Sequence, residues 1–324
     1  MLSRHFLRSK VLQAIYATQC NESSNANEAL RTFDYHMQRL NELGVLQIGA
    51  LPAIVDTCAV VLDEGKHKFM PTKEELNPNT KLLDNEFIRR ITDNYELKKH
   101  FDNWGGCWQV HDDAMRDAFL QLRKQDFYAE YLEDERHTFE TDKAFAIQLF
   151  RFLMTREVLA TVLEERSLLW EDDFYQIAQY NYMMLKTIEE ASFNEATPWP
   201  LMYDARVVKD EEAMSFARNL LSFTIINQTE YEQIIKQHLQ GWEFERVAHM
   251  DVLLVEMAIS ELINCPSIPE KVTVDEYIEL SKEFSSERSK LFINGIIDKI
   301  IIELRSKGRI VKSGRGLLSD PQSL

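Results

Sequence analysis

The stretch WEFERVAHMDVLLVEMAISEL, Trp242 to Leu262, is apolar around nearly the whole circumference of a helix. One broad face of the helical wheel carries Val247, Met250, Leu253, Leu254, Met257 and Ala258. The adjacent face carries Val252, Val255, Ile259 and Leu262, and its border includes Glu245, Asp251 and Glu256. Such a helix either lies at the centre of a core or keeps one face for a partner, and the pattern leaves both open. Glu261 points into the inner face, where a carboxylate needs a donor or a cation.

The composition predicts an all-α protein. The chain has 324 residues, of which 45% are hydrophobic and 28% are charged, as expected of a globular protein. It contains only 10 Gly and 8 Pro, and this scarcity indicates long helices with few tight turns.

Charge and cysteine content limit the class of protein. The formal net charge of −16 argues against broad, non-specific nucleic-acid binding. The four cysteines are far apart and form no C-x-x-C motif, which excludes a disulfide framework and a zinc site. We expect no signal peptide and no apolar run approaching the roughly 18 residues of a membrane span. A cytoplasmic protein is the expectation.

The sequence offers little catalytic chemistry. It has no H-E-x-x-H, P-loop or G-x-G-x-x-G motif, so we expect no enzyme, no cofactor and no metal. A di-iron site would need two Glu-x-x-His units, and the nearest fragment is Asp134 to His137, without a second copy. Cys107 in NWGGCW could be a nucleophile, but no base can be assigned to it, and a structural loop is favoured.

Two further C-terminal segments complete a recognisable set. IPEKVTVDEYIELSKEF starts at Ile268, and its Thr273 and Glu276 have the spacing of a capping box. SKLFINGIIDKI starts at Ser289 and carries Asn294 and Gly295, two poor helix formers, in the middle of an apolar helix. With the opening stretch, these segments resemble the C-terminal half of the NusB family of transcription antitermination factors. RHFLRSKVLQAIYA, near the N-terminus, resembles that family's first helix.

The resemblance implies a domain organisation. Residues 1–65 and 205–306 would form a NusB-like helical bundle, and residues 66–204 would be a helical insertion of unknown role. Residues 307–324 would be a flexible tail, which is basic in RSKGRIVKSGRG. From the residue pattern we expect helices over about 3–20, 27–64, 84–101, 111–136, 139–166 and 171–193, the second bent or broken near Gly44, Gly49 and Pro52.

The resemblance also implies a function. NusB-like proteins are not enzymes and take no small-molecule substrate. They bind single-stranded boxA RNA in nascent ribosomal RNA, together with a small-subunit ribosomal protein, NusE, and join elongating RNA polymerase. The alternative is a NusB-like scaffold in ribosome assembly whose RNA binding is weak or lost, because the arginine-rich start is thinned by Phe6 and Leu7.

By motif position, the resemblance assigns site residues. The RNA-binding set is Arg4, His5, Arg8, Tyr16, Lys290 and Phe292. Glu245 and Asp251 would face the ribosomal protein on one acid-bordered helix. Asn294 and Gly295 would have a structural role, because glycine permits close backbone approach and asparagine can bond to main chain.

Overall fold

The computed structural model describes residues 3–21, 25–103, 106–202, 212–239, 244–314 and 317. In these residues the regular structure is helical, as the composition predicts. The described residues divide into two compact units. The terminal unit combines residues 2–37 with residues 204–324, and the middle unit spans residues 38–203.

The terminal unit joins the two ends of the chain. Its helices are α1 (Arg4–Cys20), the first part of α2 (Ala26–Lys66), α12 (Glu212–Ile226), α13 (Gln228–His238), α14 (His249–Asn264), α15 (Glu270–Phe284) and α16 (Ser289–Ser306). α14 is the central element, since it packs against α1, α12, α13, α15 and α16. Because every residue from Asp251 to Leu262 is buried, the apolar second face of this helix is core and not a partner surface.

Two local expectations in the terminal unit are wrong. α14 begins at His249, so Glu245 lies in a separate 3₁₀ turn, Phe244–Arg246, and not on the same helix as Asp251. The expected Thr273 capping box is absent because α15 starts earlier, after Pro269, and the Thr273 hydroxyl donates to Glu261 instead. α16 ends at Ser306, followed by Gly308 with a φ of 65°, a conformation that glycine adopts at helix C-termini.

The middle unit is built from shorter helices than the sequence pattern indicates. They are α3 (Lys73–Leu76), α4 (Glu86–Asp93), α5 (Tyr95–Asn103), α6 (Cys107–Val110), α7 (Asp112–Leu122), α8 (Asp126–Glu133), α9 (Phe139–Met154), α10 (Glu157–Arg166) and α11 (Phe174–Thr187). Three expected helices are each split in two. At one split, between α4 and α5, the Asn94 carboxamide oxygen accepts from the Leu97 N–H and caps the second helix.

Helix α2 is unbroken over the region where a bend or a break was expected. It runs from Ala26 to Lys66 with Pro52 inside it, and the boundary between the two units falls at residue 37/38, within this helix. The domain boundary expected at 65/66 therefore differs from this unit boundary. The domain boundary expected at 204/205 lies within one residue of the second unit boundary, at 203/204. In the middle unit, the buried Gln47 donates to the Phe174 carbonyl over 2.8 Å.

Helix α2 contains a longer apolar segment than the sequence analysis expected. α2 contains an 18-residue window with a mean hydropathy of 2.0, long and apolar enough to cross a membrane by length and composition. Half of that window is buried inside the protein. The buried side chains include Leu46, Ile48, Leu51 and Ile54, which is the pattern of a core helix.

Candidate nucleic-acid and protein interface

A buried ion pair fixes α1 against α14. The Arg8 guanidinium donates to both carboxylate oxygens of Glu261, with Nε–Oε2 and Nη2–Oε1 distances of 2.7 and 2.8 Å. Thr273 and Tyr277 donate their hydroxyls to the same carboxylate over 2.9 and 3.3 Å. The prediction that the Glu261 carboxylate needs a cation or a hydrogen-bond donor is therefore confirmed. Burial alone would lower the pKa of Arg8, but Glu261 outweighs that effect and raises the pKa.

This pairing excludes Arg8 from the expected RNA surface. Its side chain is 1% exposed, and Phe216 lies under the guanidinium, 5.1 Å from ring centroid to Cζ. The residues from Phe6 to Leu12 are all buried. A continuous groove of cations and aromatic rings along α1, from Arg4 to Tyr16, is thus absent in the described structure, because neighbouring helices cover the middle of α1.

The N-terminal end of α1 is partly exposed, but its cations already have acidic partners. Arg4 donates to Glu212 over 2.6 Å. The two ring nitrogens of His5 lie 2.8 Å from Glu276 and 3.0 Å from Glu283. Partial burial alone would lower the pKa of His5, but hydrogen bonds and charges from Glu283 and Glu276 outweigh it, so the pKa is raised.

The other end of α1 meets the start of α14, which in turn is bonded to the start of α16. Tyr16 is 41% exposed, and its ring centroid lies 5.9 Å from that of His249, at the first position of α14. Two residues further on, Asp251 accepts from Ser285 over 2.6 Å and from Ser289 over 2.9 Å. Asp251 is thus buried and holds the start of α16, so it does not belong to an open acidic ridge. Glu245 remains exposed.

The start of α16 carries two cations and an aromatic side chain. Arg288 is exposed and Lys290 is half-buried, and neither forms an ion pair with the residues that the structure describes. Phe292 follows one helical turn after Arg288 and is half-buried. We call Tyr16, His249, Arg288, Lys290 and Phe292 the open edge. Sequence reasoning missed Arg288 and His249, although Arg288 is the only cation in the SSERS connection.

Asn294 and Gly295 are exposed on α16. A Cβ atom added to Gly295 would meet nothing within 4 Å, so close packing inside this chain does not explain the glycine. The close backbone approach expected at Gly295 is therefore not found among the described residues, and the main-chain bond expected from Asn294 stays a prediction. Leu291, one turn before Gly295 on the same side, is 74% exposed, so this side of α16 is open to solvent.

The basic tail is docked over its described length. Lys312 donates to the Cys265 carbonyl over 3.1 Å, and the Ser313 N–H donates to the Pro266 carbonyl over 3.0 Å. Arg309 pairs with Glu230. The expectation of a flexible tail from residue 307 is therefore wrong up to residue 314, and Arg315 lies outside the described residues.

The residues considered for enzyme chemistry have structural partners. Asp134 pairs with Arg136 over 2.9 Å, and the described residues contain no group of three or more His, Cys, Asp or Glu side chains that could hold a metal ion. Cys107 is 7% exposed, and burial raises the pKa of its thiol, the opposite of what an activated nucleophile requires.

Comparison with known proteins adds independent information about the terminal unit. The family model described as "NusB family" matches residues 174–301. The transcription antitermination protein NusB of Salinibacter ruber is 41% identical over 110 residues, which cover 34% of this chain and 69% of that protein. The chain belongs to the NusB family.

Two other NusB-family relatives match with similar coverage. The transcription antitermination protein NusB of Chloroherpeton thalassium is 37% identical over 115 residues, covering 36% of this chain and 54% of the relative. That of Myxococcus xanthus is 34% identical over 96 residues, covering 30% of this chain and 69% of the relative. No solved structure matches the chain. The NusB family match starts at residue 174, within α11, earlier than the expected 205.

Proposed function

We propose that this chain is a transcription antitermination factor that binds single-stranded boxA-type RNA at the open edge. Single-stranded bases stack on aromatic side chains while cations hold the phosphates. Tyr16 and Phe292 supply the rings, and Arg288 and Lys290 supply the cations. The observation that carries the proposal is that these two cations lack acidic partners in the described structure, unlike Arg4, His5 and Arg8.

The proposed assembly follows the family resemblance. A small-subunit ribosomal protein, NusE, joins the RNA-bound chain, and together they associate with elongating RNA polymerase in the cytoplasm. On this chain, Glu245 is the exposed acid that remains for the ribosomal partner. Asp251 contributes indirectly, because its bonds to Ser285 and Ser289 position the start of α16.

A second candidate function is a scaffold in ribosome assembly with weak RNA binding. It is favoured because Glu212, Glu276 and Glu283 form ion pairs with the cations at the N-terminal end of α1. These acids neutralise the cations and would repel phosphate. Under this alternative the ribosomal protein binds without RNA.

A gel-shift titration separates the two functions. The full chain, with and without the ribosomal protein, is titrated against boxA-containing RNA and a scrambled RNA of equal length. The proposal expects boxA to bind at least about tenfold more tightly than the scrambled RNA. Equal weak binding of both RNAs, with retained binding of the ribosomal protein, would support the scaffold and exclude the RNA-binding function.

A further inference from the structure

Two helices of the middle unit that pack together, α9 and α11, share a surface on which one tyrosine ring contacts two cations. The centroid of the Tyr182 ring lies 5.5 Å from Cζ of Arg151 and 4.9 Å from Nζ of Lys186. Both cations are exposed, and neither forms an ion pair with the residues that the structure describes. Cation–π contacts of this kind hold charged groups near one point without neutralising them.

A third cation lies at the end of the same surface. Lys143 on α9 donates to the carbonyl of Lys186, over 3.1 Å, and to that of Ile188, just after α11. These acceptors carry no formal charge, so the ammonium group keeps its own. Contacts therefore connect three cations from two helices, from Lys143 through Lys186 to Arg151.

The exposed side of α11 adds aromatic and amide side chains to these cations. Four side chains recur at intervals of four, three and four residues and so lie along one side of the helix: Tyr175, Gln179, Tyr182 and Lys186. Tyr175 is 65% exposed, and Gln179 is exposed between the two tyrosines. The helix rises about 1.5 Å per residue, which separates the two tyrosines by about 10 Å along its axis. One extended strand of nucleic acid can reach both.

Acidic side chains lie at the ends of this surface and not within it. α11 contains no Asp or Glu from Phe174 to Thr187, and α9 contains none after Asp142, which is itself buried. The acids nearest in sequence that are exposed include Glu140, Glu157, Asp172 and Glu189. The middle of the surface is therefore positive in a chain whose formal net charge is −16, and the acids beyond its ends limit a bound polyanion to a short stretch.

The mixture of residue types favours one class of polyanion. Single-stranded RNA presents phosphates to cations and unstacked bases to aromatic rings, whereas a duplex keeps its base faces stacked. An amide such as that of Gln179 can also bond to base edges. An acidic peptide would use the cations and leave the exposed ring of Tyr175 without a stacking partner.

We propose that a surface formed by Lys143, Arg151, Tyr175, Tyr182 and Lys186, the α9–α11 surface, is a second contact site for single-stranded RNA. Tyr175 stacks on a base, and Arg151 and Lys186 hold neighbouring phosphates while Tyr182 keeps the two cations in place. The site does not discriminate between sequences, because phosphates and base faces are common to all nucleotides. It uses the middle unit alone and does not depend on boxA recognition at the open edge.

Fluorescence anisotropy with the full chain and a short labelled oligouridine, which contains no boxA, tests the proposal. The Arg288→Ala, Lys290→Ala variant is the background, so that the open edge contributes little to binding. Adding Arg151→Ala and Lys186→Ala should weaken binding at least about tenfold and reduce the slope of log affinity against log salt by about 1.4.

Two further comparisons separate stacking from charge. Tyr175→Ala in the same background should weaken binding at least about fivefold and leave the salt slope unchanged, whereas Tyr175→Phe should retain binding because it keeps the ring. Lys99→Ala with Lys124→Ala is the matched control for charge, since both are exposed cations of the middle unit outside α9 and α11. It should bind oligouridine like the background.

The outcomes for this surface and for the open edge are distinguishable. A preference for boxA over scrambled RNA reports on the open edge and should survive in the Arg151→Ala, Lys186→Ala variant. A background variant that does not bind oligouridine, or equal binding by the test and control variants, would overturn the proposal. Competition by polyglutamate as strong as that by unlabelled oligouridine would also overturn it, because the surface would then recognise acidic peptides.

Discussion

Arg8 and Glu261, separated by more than 250 positions in the sequence, form a two-pronged ion pair in the interior of the terminal unit. The pair couples the first helix to the central helix α14. Removing one partner of a buried pair leaves an uncompensated charge in the protein interior. The two ends of the chain therefore depend on each other through a defined electrostatic contact.

The Arg8→Met variant should lower the free energy of unfolding by about 3–5 kcal/mol in urea titrations, because Glu261 would be left charged and buried. The Arg8→Met, Glu261→Leu double variant should recover much of that loss. Arg4→Met is the control: its partner Glu212 is exposed, so the change should stay below about 1 kcal/mol. A double variant as unstable as the single one would contradict this explanation.

Glu256 gives a pH-dependent prediction. It is 1% exposed, its Oε1 has no hydrogen-bond partner, and burial, aided by the charge of Glu232, raises its pKa to about 8. The unfolded chain ionises this carboxyl near pH 4.5, the ordinary value for glutamate. Because the folded state binds the proton more tightly, its contribution to stability is lost as the pH rises from about 4.5 to 8.

Glu256→Gln should therefore stabilise the protein by roughly 2–4 kcal/mol at pH 8 and change little at pH 4.5. Urea unfolding at several pH values measures this difference. Glu279→Gln, at an exposed carboxylate paired with Lys282, is the control and should show no such trend. An equal effect of Glu256→Gln at both pH values would rule out titration of this carboxyl as the cause.

The contacts of His5 with Glu276 and Glu283 should stabilise the packing of α1 weakly and in a pH-dependent way. The pKa of His5 is raised by Glu283 and Glu276 in the folded state, so protonation favours folding. The stabilisation is complete below the unfolded pKa of about 6.5 and disappears as the pH rises through the higher folded value. The difference in unfolding free energy between wild type and His5→Gln should thus shrink toward pH 8.5. NMR titration of the imidazole gives a direct check, and a pKa below 6.5 would contradict the prediction.

Gly295→Ala should stabilise the protein. The residue lies inside α16, and an added Cβ would meet nothing within 4 Å. Alanine in a helix interior is more stabilising than glycine by roughly 0.5–1 kcal/mol, so the free energy of unfolding should rise by that amount. Thermal unfolding measures the change. A loss of stability would instead show that the backbone at Gly295 is closely packed, as the sequence pattern suggested.

Much of the terminal unit was predictable from the sequence. The helix expected over about 3–20 is present as α1, and its Leu7, Val11 and Ala14, which recur at three- and four-residue spacing, form one buried face. The buried carboxylate of Glu261 was recognisable because an acid in an apolar face needs a partner. Its partner could not be named, since periodicity describes a single helix and Arg8 comes from another one.

The site residues were less predictable, because accessibility depends on what covers each helix. Arg8 and Asp251 are of residue types that are ordinarily exposed, yet both are buried by neighbouring helices. Arg288 matters because it forms no ion pair with a described acid, although Glu287 precedes it in the sequence, and a linear pattern does not show which charges pair. The splits of the long helices depend on caps such as Asn94, which single-residue propensities do not specify.

The most direct test of the central claim is the salt dependence of boxA RNA binding. Wild type is compared with the Arg288→Ala, Lys290→Ala double variant and with Lys299→Ala, an exposed cation half a turn round α16 from Lys290. If the two cations hold phosphates, the double variant should reduce the slope of log affinity against log salt by about 1.4, while Lys299→Ala leaves it unchanged. A double variant with the wild-type slope would contradict the account.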